Sequence, residues 1–301
     1  MGRTIPRSGV FREGLHHARI KRHGVAFKYD GQRLRGLTGG EGLLKARFYR
    51  SFCRERATTP PEAKDRGVPL KWKPSSTPAP RRGSGREVSF ARRVGQGMAR
   101  GNALNKAISI MVTMIHLYGV PLEHFTVSHR ERRTPKTMTE SWLKRHFLSF
   151  VDDEGAAKKC ASAMNSARPH LGLLAQKLFE LKLHPVAYEC PAVHPGVGLT
   201  AADLVCEHGP TGALVVIEVK TGGCGYLLDV CGRLAPPFES VASCVLTHWQ
   251  LQLAYTYDWM RRTYIDQAAL MCTPLLIRVS PTAGALHYPL PRSFRDPPSL
   301  A

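Results

Sequence analysis

Strands are poor in aspartate and glutamate, yet residues 201–223, AADLVCEHGPTGALVVIEVKTGG, place one carboxylate inside each of two strand-like runs. The runs ADLVC and ALVVIEVK are rich in β-branched residues. Between them Glu207, His208, Gly209, Pro210, Thr211 and Gly212 supply turn chemistry, so the stretch reads as a β-hairpin. With that insert as the loop, Cys206 faces Ala213 and Asp203 faces Val216. Directly opposed residues share a sheet face and side chains alternate with period two, so Asp203, Val216, Glu218 and Lys220 point the same way. Two like charges side by side in a sheet are costly unless a cation joins them, and a hard divalent ion with oxygen ligands is the usual solution. Lys220 then stands beside that ion and whatever it activates.

Charge narrows the partner. The 301-residue chain carries a formal +20 and a pI near 10.0, which favours a polyanion, because basic side chains release counterions when they neutralise phosphates. The excess is uneven: residues 1–90 hold 21 Lys/Arg against 7 Asp/Glu, and the remainder 22 against 16. Eight cysteines are scattered with no compact disulfide spacing, which points to reduced thiols in an intracellular compartment. The longest apolar run, 107–120, is too short to span a bilayer and contains His116, so no membrane association is expected. The pairs Cys190 with His194, Cys206 with His208 and Cys244 with His248 have spacings a zinc site could use, but none forms a paired C-x-x-C, and buried structural thiols are expected.

Asp203 followed by Glu218-Val219-Lys220 resembles the core of the PD-(D/E)XK nuclease superfamily. The run His248-Trp249-Gln250-Leu251-Gln252-Leu253-Ala254-Tyr255 is similar to the glutamine-bearing helix of its RecB-like and phage-exonuclease-like branches. The order Glu189, Asp203, Glu218-x-Lys220-Thr221, QL-containing helix and apolar PLLI strand also resembles a herpesvirus family of presumed nucleases in that superfamily. The residue before Asp203 is Ala202, not the motif's proline. The resemblance implies an α/β fold, a restriction-endonuclease-like mixed central sheet flanked by helices. It implies hydrolysis of DNA phosphodiester bonds with Mg²⁺ or Mn²⁺, in viral or cellular DNA processing, recombination or repair. Asp203, Glu218 and the Val219 carbonyl would hold the metal, with Glu189 or Glu180 as the third carboxylate and Glu189 preferred. Lys220 would orient or help deprotonate a water. Gln252, paired with Tyr255 or Tyr257, would contact the strand or that water, with Gln250 as the alternative. DNA is the expected partner, together with proteins of replication or recombination. The alternative reading is a nucleic-acid-binding or packaging protein that keeps the fold without turnover.

Along the chain, residues 1–88 read as a basic, Pro/Gly-rich arm, partly disordered, with a short strand at 25–29, a short helix at 42–53 and a linker over 57–88. Such an arm suits DNA attachment or nuclear targeting; a mitochondrial presequence is the other option, since residues 1–12 hold no acid. The nuclease-like domain is expected over 89–292 and a loose tail over 293–301. Arg92, Arg93 and Arg100 flank Gly95, Gly97 and Gly101, a glycine pattern that reads as a turn before a helix over 102–118 or as a close approach to phosphate. A basic loop at 130–136, a helix at 139–151 and two helices at 156–165 and 171–183 follow. The core strands are expected at 186–193, in the hairpin, and at 270–279 and 285–290, with a helix over 240–264 whose stripe is Leu246, Trp249, Leu253, Tyr257 and Met260. Thr221, Gly222 and Gly223 let backbone and hydroxyl approach a phosphate.

Overall fold

Alternation along the second hairpin strand feeds two apolar layers on opposite faces of one sheet. Val215, Ile217 and Val219 pack into one layer and Leu214 and Val216 into the other. The computed structural model describes residues 21–23, 26–29, 32–37, 43–48, 85–126, 154–221, 227–228, 230, 232–272, 274–298 and 300. The loop at 130–136, the helix at 139–151, Gly222 and Gly223, residues 49–53 of the expected helix and residues 57–84 of the expected linker lie outside them.

The described elements run β1 (Lys21–His23), β2 (Ala26–Tyr29), β3 (Gln32–Gly36), α1 (Leu43–Phe48), α2 (Gly85–Tyr118), α3 (Glu154–Glu180), β4 (Leu183–His194), β5 (Gly198–His208), β6 (Leu214–Lys220), α4 (Val245–Thr263), β7 (Leu275–Ser280) and β8 (Gly284–Pro289). The fold is α/β, with a mixed central sheet flanked by helices. Strand order is β1-β2-β3-β5-β6-β7-β8, with β4 paired to β5. β3·β5 and β6·β7 are parallel and the other pairs antiparallel.

One layer joins Leu104, Ile108 and Met111 of α2 to Leu174 and Leu178 of α3, against Leu204, Ile217 and Ile277 of the sheet. The other joins Leu253, Trp259 and Met260 of α4 to Val205, Val216 and Leu276. Each fully buried side chain of this size contributes about 1.5–3 kcal/mol. Among the described residues no helix is long and apolar enough to cross a membrane.

Several boundaries differ from the sequence expectation. Leu34 is buried with Val193 and Leu199, and Leu37, Leu44 and Phe48 enter the α4 layer, so part of the N-terminal segment belongs to the sheet. α2 begins at Gly85 and passes through Gly95, Gly97 and Gly101 without a turn. A single helix spans 154–180 despite Pro169; burial of Leu171, Leu174, Ala175 and Leu178 beyond it outweighs the lost backbone bond. In the segment expected as a loose tail, Phe294 is fully buried, edge-on to Phe238 at 5.2 Å.

Candidate active site

The hairpin register differs from the expected one by two residues. Glu207 pairs with Leu214, Cys206 with Val215, Val205 with Val216 and Leu204 with Ile217. Glu207 and His208, assigned to the loop from sequence, remain in β5, and the His208 N–H donates to the Ala213 carbonyl at 2.8 Å. Gly212, at φ +66°, and a 2.8 Å bond between His208 Nδ1 and Thr211 Oγ1 close the tighter turn. A shift of two preserves which residues share a face, and one further step of the ladder puts Asp203 opposite Glu218 rather than Val216.

That further step is not made by backbone. The Val219 N–H donates to Asp203 Oδ2 at 2.8 Å, so the aspartate side chain takes the place of the next ladder acceptor. On the same edge of β5, β3 pairs only at Gly198 and Leu199, while β4 runs along the other edge. The sheet therefore forks between β3 and β6, and Asp203 lies in the fork. Because a strand residue directs N–H and C=O to the same edge, the Val219 carbonyl also faces it.

Glu189 lies on the same rung. Tyr188 pairs with Leu204 and Cys190 with Ala202, which sets Glu189 across from Asp203. Glu189 has φ +45°, an uncommon conformation for a non-glycine residue. The apolar pattern changes phase there: Tyr188 and Leu204 pack in the α2/α3 layer, whereas Cys190 and Ala202 pack in the α4 layer.

Glu218 is 1% exposed. Its Oε1 accepts a short ion-paired bond from Lys220 Nζ and a 2.6 Å bond from Gln252 Nε2, and Lys220 Nζ also donates to Gln252 Oε1 at 3.0 Å. Gln252 of α4 thus clamps the acid and the lysine together. The buried Glu218 Oε2 has no hydrogen-bond partner. Burial first, then the negative charges of Glu218 and Glu189, push the Asp203 carboxyl up to about 8, against the opposing pull of Lys220 and the Val219 N–H. Burial alone would lower the Lys220 pKa, but the carboxylates of Glu218 and Asp203 raise it.

The other sequence candidates separate cleanly. Gln250 turns away and donates to the Pro289 carbonyl at 3.2 Å. Tyr255 is 1% exposed, parallel to the Phe48 ring at 6.0 Å, and donates its hydroxyl to the Pro298 carbonyl at 2.8 Å, so it offers no face to a nucleic acid. Tyr257 donates to the Met271 carbonyl. Glu180 is an exposed partner of Lys177 at the end of α3, on the layer opposite α4. Thr221 is half-buried, and a Cβ on Gly101 of α2 would lie 3.7 Å from its Oγ1. Arg100 is exposed; Arg92 and Arg93 lie earlier on the same helix. Cys190, Cys206, Cys244 and Cys272 are free thiols, and Cys190 and Cys206 are raised by burial. His194, His208 and His248 bond to Pro195, Thr211 and Ser243.

Among the described residues no three His, Cys, Asp or Glu side chains gather as a metal-holding group. What the fork offers is a pair of carboxylates, one with an unpartnered buried oxygen and the other holding its proton far above the ordinary range. A backbone carbonyl faces the same gap. That set is too small for a full protein cage and fits Mg²⁺, which keeps several waters and takes one or two carboxylates plus phosphate oxygens. No protein-family model matches this chain, and no curated protein matches its sequence.

Proposed function

We propose that this chain is a divalent-cation-dependent nuclease that hydrolyses DNA phosphodiester bonds at the fork between β3 and β6. The observation that carries the reading is the juxtaposition of Asp203, Glu218 and Lys220, tied together by Gln252, with the Glu218 Oε2 atom buried and unpartnered. A protein that only binds polyanions gains nothing from two carboxylates where a phosphate would lie.

Asp203, Glu218 and the Val219 carbonyl would hold Mg²⁺ or Mn²⁺, which when bound makes a nucleophile of a water and offsets charge on the phosphoryl oxygens. Asp203 must release its proton for this, and the approach of a cation lowers its pKa. Lys220, whose ammonium is stabilised by both carboxylates, stays charged at neutral pH and supplies a donor next to the developing negative charge. Gln252 holds that ammonium against Glu218 and limits where it can reach. Glu189 adds negative potential at Asp203, which strengthens the pair's demand for a cation. The basic composition supports a nucleic-acid substrate, and free thiols together with the N-terminal charge excess support a nuclear site of action alongside proteins of replication or recombination.

The test is cleavage of linear duplex DNA by Glu218→Gln and Lys220→Ala. Each should lose at least about 10²-fold in Mg²⁺-dependent rate, while binding of the same duplex in EDTA stays within a few-fold of wild type. Full activity in either variant sinks the assignment.

A second reading, a binding or packaging protein, rests on Lys220 already neutralising Glu218 without any cation. It predicts no metal-dependent cleavage by the wild-type chain on linear, circular or single-stranded substrates. Deleting residues 1–88 cannot separate the two, because Leu37, Leu44 and Phe48 belong to the core.

A further inference from the structure

We propose that the N-terminal half of α2 is a track for the phosphodiester backbone leading away from the fork, an inference that rests on the nuclease reading and adds a substrate-binding surface to it. Gly101 is the fixed point. Its backbone approaches Thr221, the residue immediately after Lys220, so α2 touches the end of β6 that bears the site. On the C-terminal side of Gly101 the helix is core, with Leu104, Ala107, Ile108 and Met111 all buried.

On its N-terminal side the composition reverses. Residues 85–101 contain Arg86, Arg92, Arg93 and Arg100 against a single acid, Glu87. Arg86, Arg93 and Arg100 are spaced by seven, which returns a helix to within about 20° of the same line. At about 1.5 Å per residue the line is roughly 21 Å long. That length matches about six successive phosphates at roughly 3.4 Å of axial rise each along one strand. Arg100, at the site end of the line, is exposed. Arginines placed along one line of a helix, with the line ending beside Gly101 and hence beside Thr221, suit a charged strand more than a protein partner, since the line carries charge without an apolar anchor.

The experiment measures binding of a fluorescent duplex in EDTA, where no turnover occurs, across a salt series. Arg86→Gln/Arg93→Gln leaves Arg100 and its own contacts in place. Its log K against log salt should flatten by about 2, with a roughly 10- to 100-fold loss of affinity at low salt. Arg81→Gln/Arg82→Gln removes the same charge just before the helix and should cost much less. Equal losses in the two double variants, or an unchanged slope in the first, overturn the track. Circular dichroism on each variant excludes unfolding as the cause. Failure of the nuclease reading shows elsewhere, as absence of Mg²⁺-dependent cleavage by the wild-type chain, whichever way the binding comparison falls.

Discussion

Asp203→Asn offers the most direct probe of the fork. In the folded chain burial and the neighbouring Glu218 raise the Asp203 carboxyl from an ordinary 3.8 to about 8. A folded-state pKa above the unfolded one means the native state binds the proton more tightly, so Asp203 contributes stability that is fully present below about pH 4 and is lost as pH rises through about 8. At about 1.4 kcal/mol per pH unit the upper bound is on the order of 6 kcal/mol. Solvent at this half-buried carboxyl and the coupling to Glu218 reduce that to roughly 1–3 kcal/mol. For a folded unit of this size that is a fall in Tm of roughly 2–12 °C between acid and alkaline buffer. The assay is thermal unfolding in EDTA from about pH 5 to pH 9, repeated with Mg²⁺. Wild type should lose Tm with pH and regain it with the cation, by about 2.7 kcal/mol at a hundredfold excess over Kd. Asp203→Asn removes the ionisation, so it should show a flatter pH profile, exceed wild type in alkaline EDTA, and respond little to Mg²⁺. If wild type and variant keep the same slope, or Mg²⁺ raises both equally, the argument for a cation held by Asp203 fails.

Three further outcomes follow from contacts around the site. Gly198→Ala would place a Cβ 2.6 Å from Leu43 Cδ1, 2.8 Å from the Arg35 carbonyl and 3.0 Å from Trp259, so it should cost about 1–3 kcal/mol and make the N-terminal segment more sensitive to limited proteolysis. Tyr255→Phe leaves the Pro298 carbonyl without its donor and should cost about 0.5–1.5 kcal/mol by denaturant unfolding; a specific drop in DNA affinity instead would contradict the buried placement. At Glu189, where φ is +45°, a valine should be roughly 1–2 kcal/mol less stable than a glycine, a comparison of two variants that both lack the carboxylate and so isolates the backbone term in equilibrium unfolding.

The common face of Glu218 and Lys220, and Asp203 as their neighbour across the hairpin, were legible because period two depends only on whether the register is odd or even. The register itself was not: Glu207 and His208 look like turn residues, and pairing with β4 and with the start of β6, together with the Thr211 hydroxyl and the left-handed Gly212, keeps them in the strand. Helical periodicity exposed α4 and its glutamines, but the partner of each glutamine is set by where β6 and β8 lie, which no local pattern records. Tyr255 illustrates the same limit: its hydroxyl is satisfied by Pro298, 43 residues away. The fork was invisible for a related reason. It depends on β3, a short strand from the basic segment, occupying the edge of β5 beyond the point where β6 stops.

The phase change at Glu189 and Asp203 connects fold and chemistry. Had β4 and β5 kept a regular alternation, Tyr188 and Cys190 would share one layer, as would Leu204 and Ala202. They divide instead between the two layers, so each strand trades a regular pleat for apolar burial on both sides of the rung. The residue at the break is the one whose side chain need not enter either layer, and in both strands it is an acid. In β5 this frees the Asp203 carboxyl to lie at the strand edge, where it accepts the Val219 N–H in place of a backbone carbonyl. In β4 it is met by the left-handed backbone of Glu189, a conformation that costs of order 1–3 kcal/mol and that apolar packing of Cys190 and Ala192 on one side and Tyr188 on the other holds in place. A pair of acids that merely decorated a sheet face would need no such break. Placing a carboxylate in the plane of the sheet, at the end of a ladder and across from a second acid, sets acceptor oxygens together at the strand edge, which is the arrangement the proposed cation site requires.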